Sequence, residues 1–191
     1  MKILILNSSP RHGGLITQLL EEIKKNISSK HTVGVVNIFD LHFTQCQHCV
    51  RCQALINGTC ALPSDDMHRV ADLVKVADVL IVGSPCHLGN TSKVLKTFYS
   101  RIDYVMVGEK ENGVPHALQK GKRAMIVSTR TSIFPFSIFS KQSHDTTKAI
   151  SKVLTLSGYN IIGTIEKSDT PKHRELTAGE IKKCALLGQM I

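Results

Sequence analysis

Cys46, Cys49, Cys52 and Cys60 are separated by two, two and seven residues, a spacing that suits ligation better than a disulfide framework. Three thiolates set two residues apart can wrap one face of an iron–sulfur cube, and a later cysteine can supply the fourth iron ligand. Tetrahedral zinc accepts the same four thiolates, and His42 and His48 stand close enough in sequence to enlarge that donor set. A third outcome is no metal, with the thiols used for packing. The spacing alone leaves all three open. Cys184 stands apart from the group and is expected to be a packing residue.

A second kind of chemistry lies between Asn7 and Gly14, in Asn7-Ser8-Ser9-Pro10-Arg11-His12-Gly13-Gly14. Hydroxyls, an arginine, flexible glycines and the N–H groups of a following helix suit a phosphate. A plain turn rich in small residues has the same composition. A third segment, Gly83-Ser84-Pro85-Cys86-His87-Leu88-Gly89-Asn90-Thr91-Ser92, offers backbone groups to a flat ring, with Pro85 stiffening the turn and Gly89 permitting close approach. His87 is expected to be a neutral space-filler, although a group titrating near ~6.5 could also tune a ligand. Cys86 is expected to be a small buried residue. Ser128-Thr129-Arg130-Thr131-Ser132 presents further hydroxyls, and Ile133-Phe134-Pro135-Phe136 suggests an altered pocket or an oligomer contact.

These segments need elements to hold them. Lys2 to Asn7 is a short apolar run of the kind that forms a buried strand. Leu15, Leu19, Leu20, Ile23 and Ile27 then recur at helical spacing. Further strands are predicted at Val33 to Phe39, Asp78 to Ser84, Arg123 to Ser128 and Tyr159 to Ile165. Helices are predicted from Ser64-Asp65-Asp66 to about Val76, from Gly89 to Val105, from Lys141 to Ser157 and from Glu175 to Leu187. A polar loop is expected around Glu109 to Gly121. The alternation predicts one α/β domain over residues 1–191. Its core would be a doubly wound, five-stranded parallel sheet of order 2-1-3-4-5 with helices on both faces, and a cysteine-rich insertion would occupy about 40–62. Ligands of such a sheet bind outside the carboxyl ends of strands 1 and 3, where the strand order reverses.

Composition narrows the classes. No apolar run approaches the ~18 residues that cross a bilayer. The first residues hold no charged leader or small-residue cleavage site, so the expected location is the cytoplasm. The net charge of +9 would attract anions, but lysines and arginines are scattered, tryptophan is absent and other aromatics are few. A base-stacking nucleic-acid surface is therefore not expected.

Three of these segments resemble one family. Ser9-Pro10-Arg11 followed by glycines is similar to the Ser-Pro-Arg-x-x-Gly-x-Thr loop of the flavodoxin-like NAD(P)H-dependent FMN reductase superfamily, with Ile16 near the family threonine and Thr17 one position later. Ser84, Pro85, Gly89, Ser92, Leu95, Lys96, Phe98 and Arg101 agree with its pattern Ser/Thr-Pro-x-Tyr-x-Gly-x-x-Ser-x-x-Leu-Lys-x-Phe-x-Asp-Arg. His87 replaces the tyrosine and Ser100 the aspartate. Cys60 and Asp65-Asp66-Met67 resemble a Cys-x4-Asp-Asp-Met run of the superfamily, and the compact cysteine set is similar to that of its iron–sulfur flavoproteins.

The resemblance implies an FMN-dependent electron-transfer flavoprotein in which the flavin carries the chemistry and no side chain acts as nucleophile. Ser9, Pro10, Arg11 and Thr17 would serve the FMN phosphate. Ser84, Pro85, Cys86, His87, Leu88, Gly89, Asn90 and Ser128 would frame the ring. Cys46, Cys49, Cys52 and Cys60 would hold a [4Fe–4S] cluster. The implied electron partners are NAD(P)H or a ferredoxin, and the implied assembly is a homodimer or homotetramer. Two alternatives stand beside it: an NAD(P)H-dependent FMN or quinone reductase without a cluster, and a zinc-stabilised, non-enzymatic interaction module.

Overall fold

A computed structural model of the chain describes residues 1–49, 51–54, 59–87, 90–109, 114–130, 145–168, 170 and 174–191. In chain order the elements are β1 (Lys2–Asn7), α1 (Leu15–Lys25), β2 (Thr32–Asn37), a 3-10 turn (Ile38–Asp40), α2 (Arg51–Ala54), α3 (Asp66–Val76), β3 (Val79–Pro85) and α4 (Lys93–Met106). They continue with β4 (Val107–Glu109), β5 (Pro115–Ala117), β6 (Arg123–Thr129), α5 (Asp145–Leu156), β7 (Asn160–Lys167) and α6 (Ala178–Gln189).

Five strands pair in the order β2-β1-β3-β6-β7, all in parallel. This is the expected 2-1-3-4-5 order once the small β4–β5 ribbon is set aside. Strand residues alternate between two cores because successive side chains point to opposite faces. Leu4, Leu6, Leu80, Val82, Ala124 and Ile126 pack on one side with Val70 of α3, Phe98 of α4 and Ile150 of α5. Ile3, Ile5, Val79, Ile81, Met125 and Val127 pack on the other with Leu19 and Ile23 of α1 and Cys184 of α6. Both faces are covered, which is why β1 and β3 are apolar almost throughout. Each such side chain, fully buried, contributes on the order of 1.5–3 kcal/mol.

Several boundaries differ from those expected. The helix predicted from Gly89 begins at Lys93, because Ser92 is its N-cap and accepts from the Leu95 N–H. Gly89, with Leu88, lies outside the described residues. The expected polar loop after α4 contains the antiparallel β4–β5 ribbon, whose three-residue strands are too short to show alternation. The predicted second strand ends at Asn37 and turns into the 3-10 segment. Positions 141–144 of the helix predicted from Lys141 to Ser157, Thr131, Ser132 and Ile133 to Phe136 also lie outside the described residues. Among those described, no helix is long and apolar enough to cross a membrane.

Candidate functional site

A cleft of ≈ 970 Å³ opens at the carboxyl ends of β1, β3 and β6, where the order of the sheet reverses. The loop after β1 forms one wall. Ser9 is fixed by its N–H bond to Asn7 Oδ1 (3.0 Å), and its Oγ accepts from the Arg11 N–H (3.2 Å). The Gly14 N–H then donates to the Arg11 carbonyl at 3.0 Å, closing a turn that delivers the chain into α1. Gly14 is the N-cap of α1, no side chain caps that end, and its first turn holds no acid. The Gln18 N–H makes the first return bond to Gly14, so the preceding N–H groups have no helical carbonyl. Uncapped donors, the positive end of the helix dipole and the nearby Arg11 have the chemistry of an anion cradle.

The segment after β3 forms the facing wall. The Cys86 N–H donates to the Thr129 carbonyl at 2.7 Å, extending the β3–β6 ladder to the rim. His87 and Asn90 exchange backbone bonds of 2.8 and 2.9 Å. Ser9, Pro10, Arg11, Pro85, Cys86 and His87 all line the cleft. Cys86, expected to be a buried packing residue, is only half-buried there.

Four of the other expected contacts, Thr17, Ser84, Asn90 and Ser128, are not among the residues that line the cleft. Thr17 Oγ1 donates to the Arg11 carbonyl (3.1 Å) and accepts from Asn7 Nδ2 (3.0 Å), beside a separate cavity. It pins the loop from behind. Ser84, fully buried, donates to the Pro85 carbonyl (3.1 Å) and accepts from the Ser92 N–H (3.2 Å). Ser92 Oγ reaches Ser8 Oγ (3.0 Å), and Ser8 Oγ donates to the Gly83 carbonyl (2.9 Å), so these hydroxyls tie α4 to the ends of β1 and β3. Ser128 Oγ shares a 3.0 Å hydrogen bond with Thr147 Oγ1. Asn90 Oδ1 accepts from the Thr91 N–H. Conversely, Gln18, Thr129, Arg130, Thr170 and Arg174 line the cleft. Thr129 and Arg130 belong to the hydroxyl-bearing segment singled out in the sequence, but nothing local marks Arg174.

The cysteines occupy a second region. Cys46 and Cys52 share a cavity of ≈ 380 Å³ with His48, Tyr99, Ser100 and Asp103. His48 has φ 51°, a left-handed turn that bends the chain between Cys46 and Cys49, and its N–H donates to Cys46 Sγ at 3.4 Å. Cys60 is anchored from α4. Arg101 Nη1 donates to Cys60 Sγ at 2.8 Å, and Nη2 donates to both Asp65 carboxylate oxygens at 2.7 Å. The Arg101 side chain has no exposed surface. His68 Nδ1 lies 3.2 Å from both the Asp65 backbone nitrogen and its Oδ1, and Nε2 lies 3.3 Å from the Cys60 carbonyl oxygen, so this ring bridges the α3 cap and Cys60.

Electrostatics ties the region together. Burial raises the Cys52 thiol pKa, and repulsion from Cys60, Cys46 and Cys49 raises it further. Burial would raise the Asp65 pKa as well, but the Arg101 hydrogen bonds and charge, with N–H donors from Thr44 and Met67, outweigh it and hold the carboxyl below its usual range. Burial pushes the Tyr99 hydroxyl pKa up, and this buried hydroxyl at the cysteine cavity has no hydrogen-bond partner among the described residues. Cys46 and Cys52 on a shared cavity, a guanidinium donating to the Cys60 sulfur and an orphaned hydroxyl suit a thiolate-bound metal group in their chemistry. Among the described residues, no three His, Cys, Asp or Glu side chains are already gathered closely enough to hold an ion.

Comparison with known proteins places this geometry. An iron–sulfur flavoprotein of Archaeoglobus fulgidus is 27% identical over 111 residues, covering 56% of this chain and 52% of that protein. The chain spans about half the length of the curated relatives it matches. The crystal structure of Smu.1420 from Streptococcus mutans UA159 superposes with a TM-score of 0.76 at 23% identity, covering 100% of both chains. An NAD(P)H:quinone oxidoreductase from Methanothermobacter marburgensis gives 0.79 at 14% identity, covering 99% of this chain and 98% of the other. Together with the strand order these likenesses establish a flavodoxin-like fold. The pattern that defines NADPH-dependent FMN reductases matches residues 1–164, a span that runs from β1 into β7 and includes every strand framing the cleft. The chain therefore belongs to the NADPH-dependent FMN reductase family.

Proposed function

We propose that the chain is an FMN-dependent oxidoreductase that moves electrons between a flavin in the switch-point cleft and a [4Fe–4S] cluster on Cys46, Cys49, Cys52 and Cys60. The observation that carries the flavin half is the uncapped amino end of α1 beside Ser9 and Arg11 in that cleft. Bound FMN would supply the one- and two-electron redox chemistry that side chains lack. The protein's part is placement. Ser9, Arg11 and the first-turn N–H groups of α1 would hold the phosphate, and Pro85, Cys86 and His87 would form a wall for the ring.

The cluster half rests on the cysteine spacing, the shared cavity, the unpartnered Tyr99 hydroxyl and the iron–sulfur names of the curated relatives. Arg101 would hold the Cys60 sulfur in place, and Asp65 would keep Arg101 aligned. NAD(P)H or a ferredoxin is the proposed electron partner, in line with the family and the cluster respectively.

A second reading, an NAD(P)H-dependent FMN or quinone reductase without a cluster, is favoured by the ungathered sulfurs among the described residues. Anaerobic reconstitution followed by iron, sulfide and FMN analysis separates the two. About four irons per flavin, as four cysteine ligands allow, is the expected result. Flavin without iron would select the second reading, and zinc without flavin would leave an interaction module. Arg11→Gln is expected to weaken FMN binding by about tenfold, the worth of a charge-assisted hydrogen bond, while leaving riboflavin binding nearly unchanged.

A further inference from the structure

Cys60 is held both at its sulfur and at its backbone. Arg101 Nη1 donates to its Sγ at 2.8 Å. His68 Nε2 lies 3.3 Å from its carbonyl oxygen, and the Tyr104 hydroxyl shares a hydrogen bond with its backbone. These partners belong to α3 and α4, helices anchored in the core through Val70 and Phe98. Cys46 precedes the short helix α2, Cys52 stands within it, and Cys49 is exposed. Cys60 is thus fastened to the scaffold, and the group that grips its sulfur is a cation.

The surroundings of that cation are unlike those of a surface ion pair. The Arg101 side chain has no exposed surface. Its charge is balanced by Asp65, whose two carboxylate oxygens each accept from Nη2 at 2.7 Å. Nε is buried and has no hydrogen-bond partner among the described residues. One guanidinium therefore serves the carboxylate, serves the sulfur and keeps a donor to spare. Hydrogen bonds to the sulfurs, net charge and burial are the means by which a protein sets an iron–sulfur potential. Arg101 supplies all three at Cys60, in a place where water screens the charge poorly. Asp65 acts on the same sulfur through Arg101, and with the opposite sign.

We propose that Arg101 and Asp65 together set the reduction potential of the cluster, the guanidinium raising it through the Cys60 sulfur and the carboxylate limiting that rise. The proposal rests on the reading that Cys46, Cys49, Cys52 and Cys60 carry a [4Fe–4S] cluster. The couple moves a single electron onto the cluster, from reduced flavin in the protein or from dithionite in the test. The site then becomes more negative by one charge. A hydrogen bond to a ligand sulfur and a buried positive charge both favour that more negative state. Loss of the Arg101 charge lowers the potential, and loss of the Asp65 charge raises it. A residue that merely propped up the cysteine segment would change how much cluster is held, without moving the potential in opposite directions.

The test is a dithionite titration of reconstituted holoprotein for the native chain, Arg101→Gln, Arg101→Lys and Asp65→Asn. Electron paramagnetic resonance follows the cluster, and absorbance follows the flavin. Asparagine is chosen because it caps a helix about as well as aspartate, which spares the start of α3. Iron and sulfide are counted in every sample, and circular dichroism checks the fold. For Arg101→Gln the expected result is a fall of about tenfold in the equilibrium constant for cluster reduction, or about 59 mV for a one-electron couple. Arg101→Lys is expected to show a smaller fall, and Asp65→Asn a rise. The flavin potential is expected to be unchanged in all of them. Cluster potentials that all move together, or none that move, at full iron content would overturn the proposal, because the pair would then only hold the segment. If Arg101→Gln does not fold, Asp65→Asn decides alone, since a fall or no change there overturns it. Native protein that takes up no iron sinks the cluster reading and this proposal with it, a result the iron count registers on its own.

Discussion

At the scale of single residues, the most consequential union is Cys60–Arg101–Asp65. Arg101 is buried and Asp65 nearly so, with side chains 0% and 14% exposed. Removing one member leaves the other uncompensated, which costs about 3–5 kcal/mol for a buried pair. Asp65→Ala also deletes the N-cap of α3, where Asp65 accepts from the Met67 N–H. Urea unfolding is expected to show a loss in that range for Asp65→Ala, and the double variant Asp65→Ala/Arg101→Met should recover part of it. The lowered Asp65 pKa also fixes a pH dependence. Its stabilising contribution is full above the unfolded carboxyl value of ~3.9 and declines as pH falls from there through the lower folded value. Stability curves between pH 6 and pH 2 should therefore be shallower on the acid side for Asp65→Asn than for the native chain.

At the scale of elements, the placement of α1 decides the cradle, because its amino end carries the unsatisfied donors. Two close approaches set it. A Cβ on Gly83 of β3 would lie 2.6 Å from Leu20 Cδ1 and 2.8 Å from Ile16 Cγ2, so α1 rests directly on the strand. On its other side, a Cβ on Gly188 of α6 would lie 2.6 Å from the Ile23 carbonyl oxygen. That atom is backbone and cannot swing aside as a side chain can. Gly188→Ala is thus expected to separate α1 from α6 and destabilise by about 1–3 kcal/mol, the usual cost of overpacking. Thermal unfolding would register the loss. Because the shift moves the helix that carries the cradle, FMN affinity should fall in the same variant. Unchanged affinity would show that the loop after β1 holds its geometry independently of α1.

For the molecule as a whole, the net charge of +9 and the concentration of guanidinium groups in one cleft bias it toward anionic ligands. A ligand that binds the folded state alone stabilises it by about 2.7 kcal/mol at a hundred times its dissociation constant. FMN is therefore expected to raise the melting temperature of the apoprotein, riboflavin to raise it much less at equal concentration, and added salt to narrow the gap by screening the phosphate. Equal shifts from the two flavins would place the binding energy in the ring and remove the role assigned to Arg11.

The amino-acid sequence by itself determined the order of the five sheet strands and five long helices, the reversal point of the sheet and the segments that meet there. Those are consequences of local periodicity: Lys2–Asn7 and Val79–Pro85 are apolar nearly throughout because helices cover both faces of the strands. Ser9, Arg11 and Pro85 to His87 were legible for the same reason, since a residue that follows a parallel strand emerges at its carboxyl end. Which way a side chain points once it arrives is a different matter, settled by partners remote in sequence. Thr17, Ser84 and Ser128 have the right type and neighbourhood, yet their hydroxyls bind the Arg11 carbonyl, the Pro85 carbonyl and Thr147. Arg174 joins Arg11 in the cleft across most of the chain, and Arg101 reaches Cys60 across 41 positions. Only the tertiary structure could decide these, because a hydrogen bond is assigned by distance and direction between elements, whereas periodicity reports no more than the face on which each element is buried.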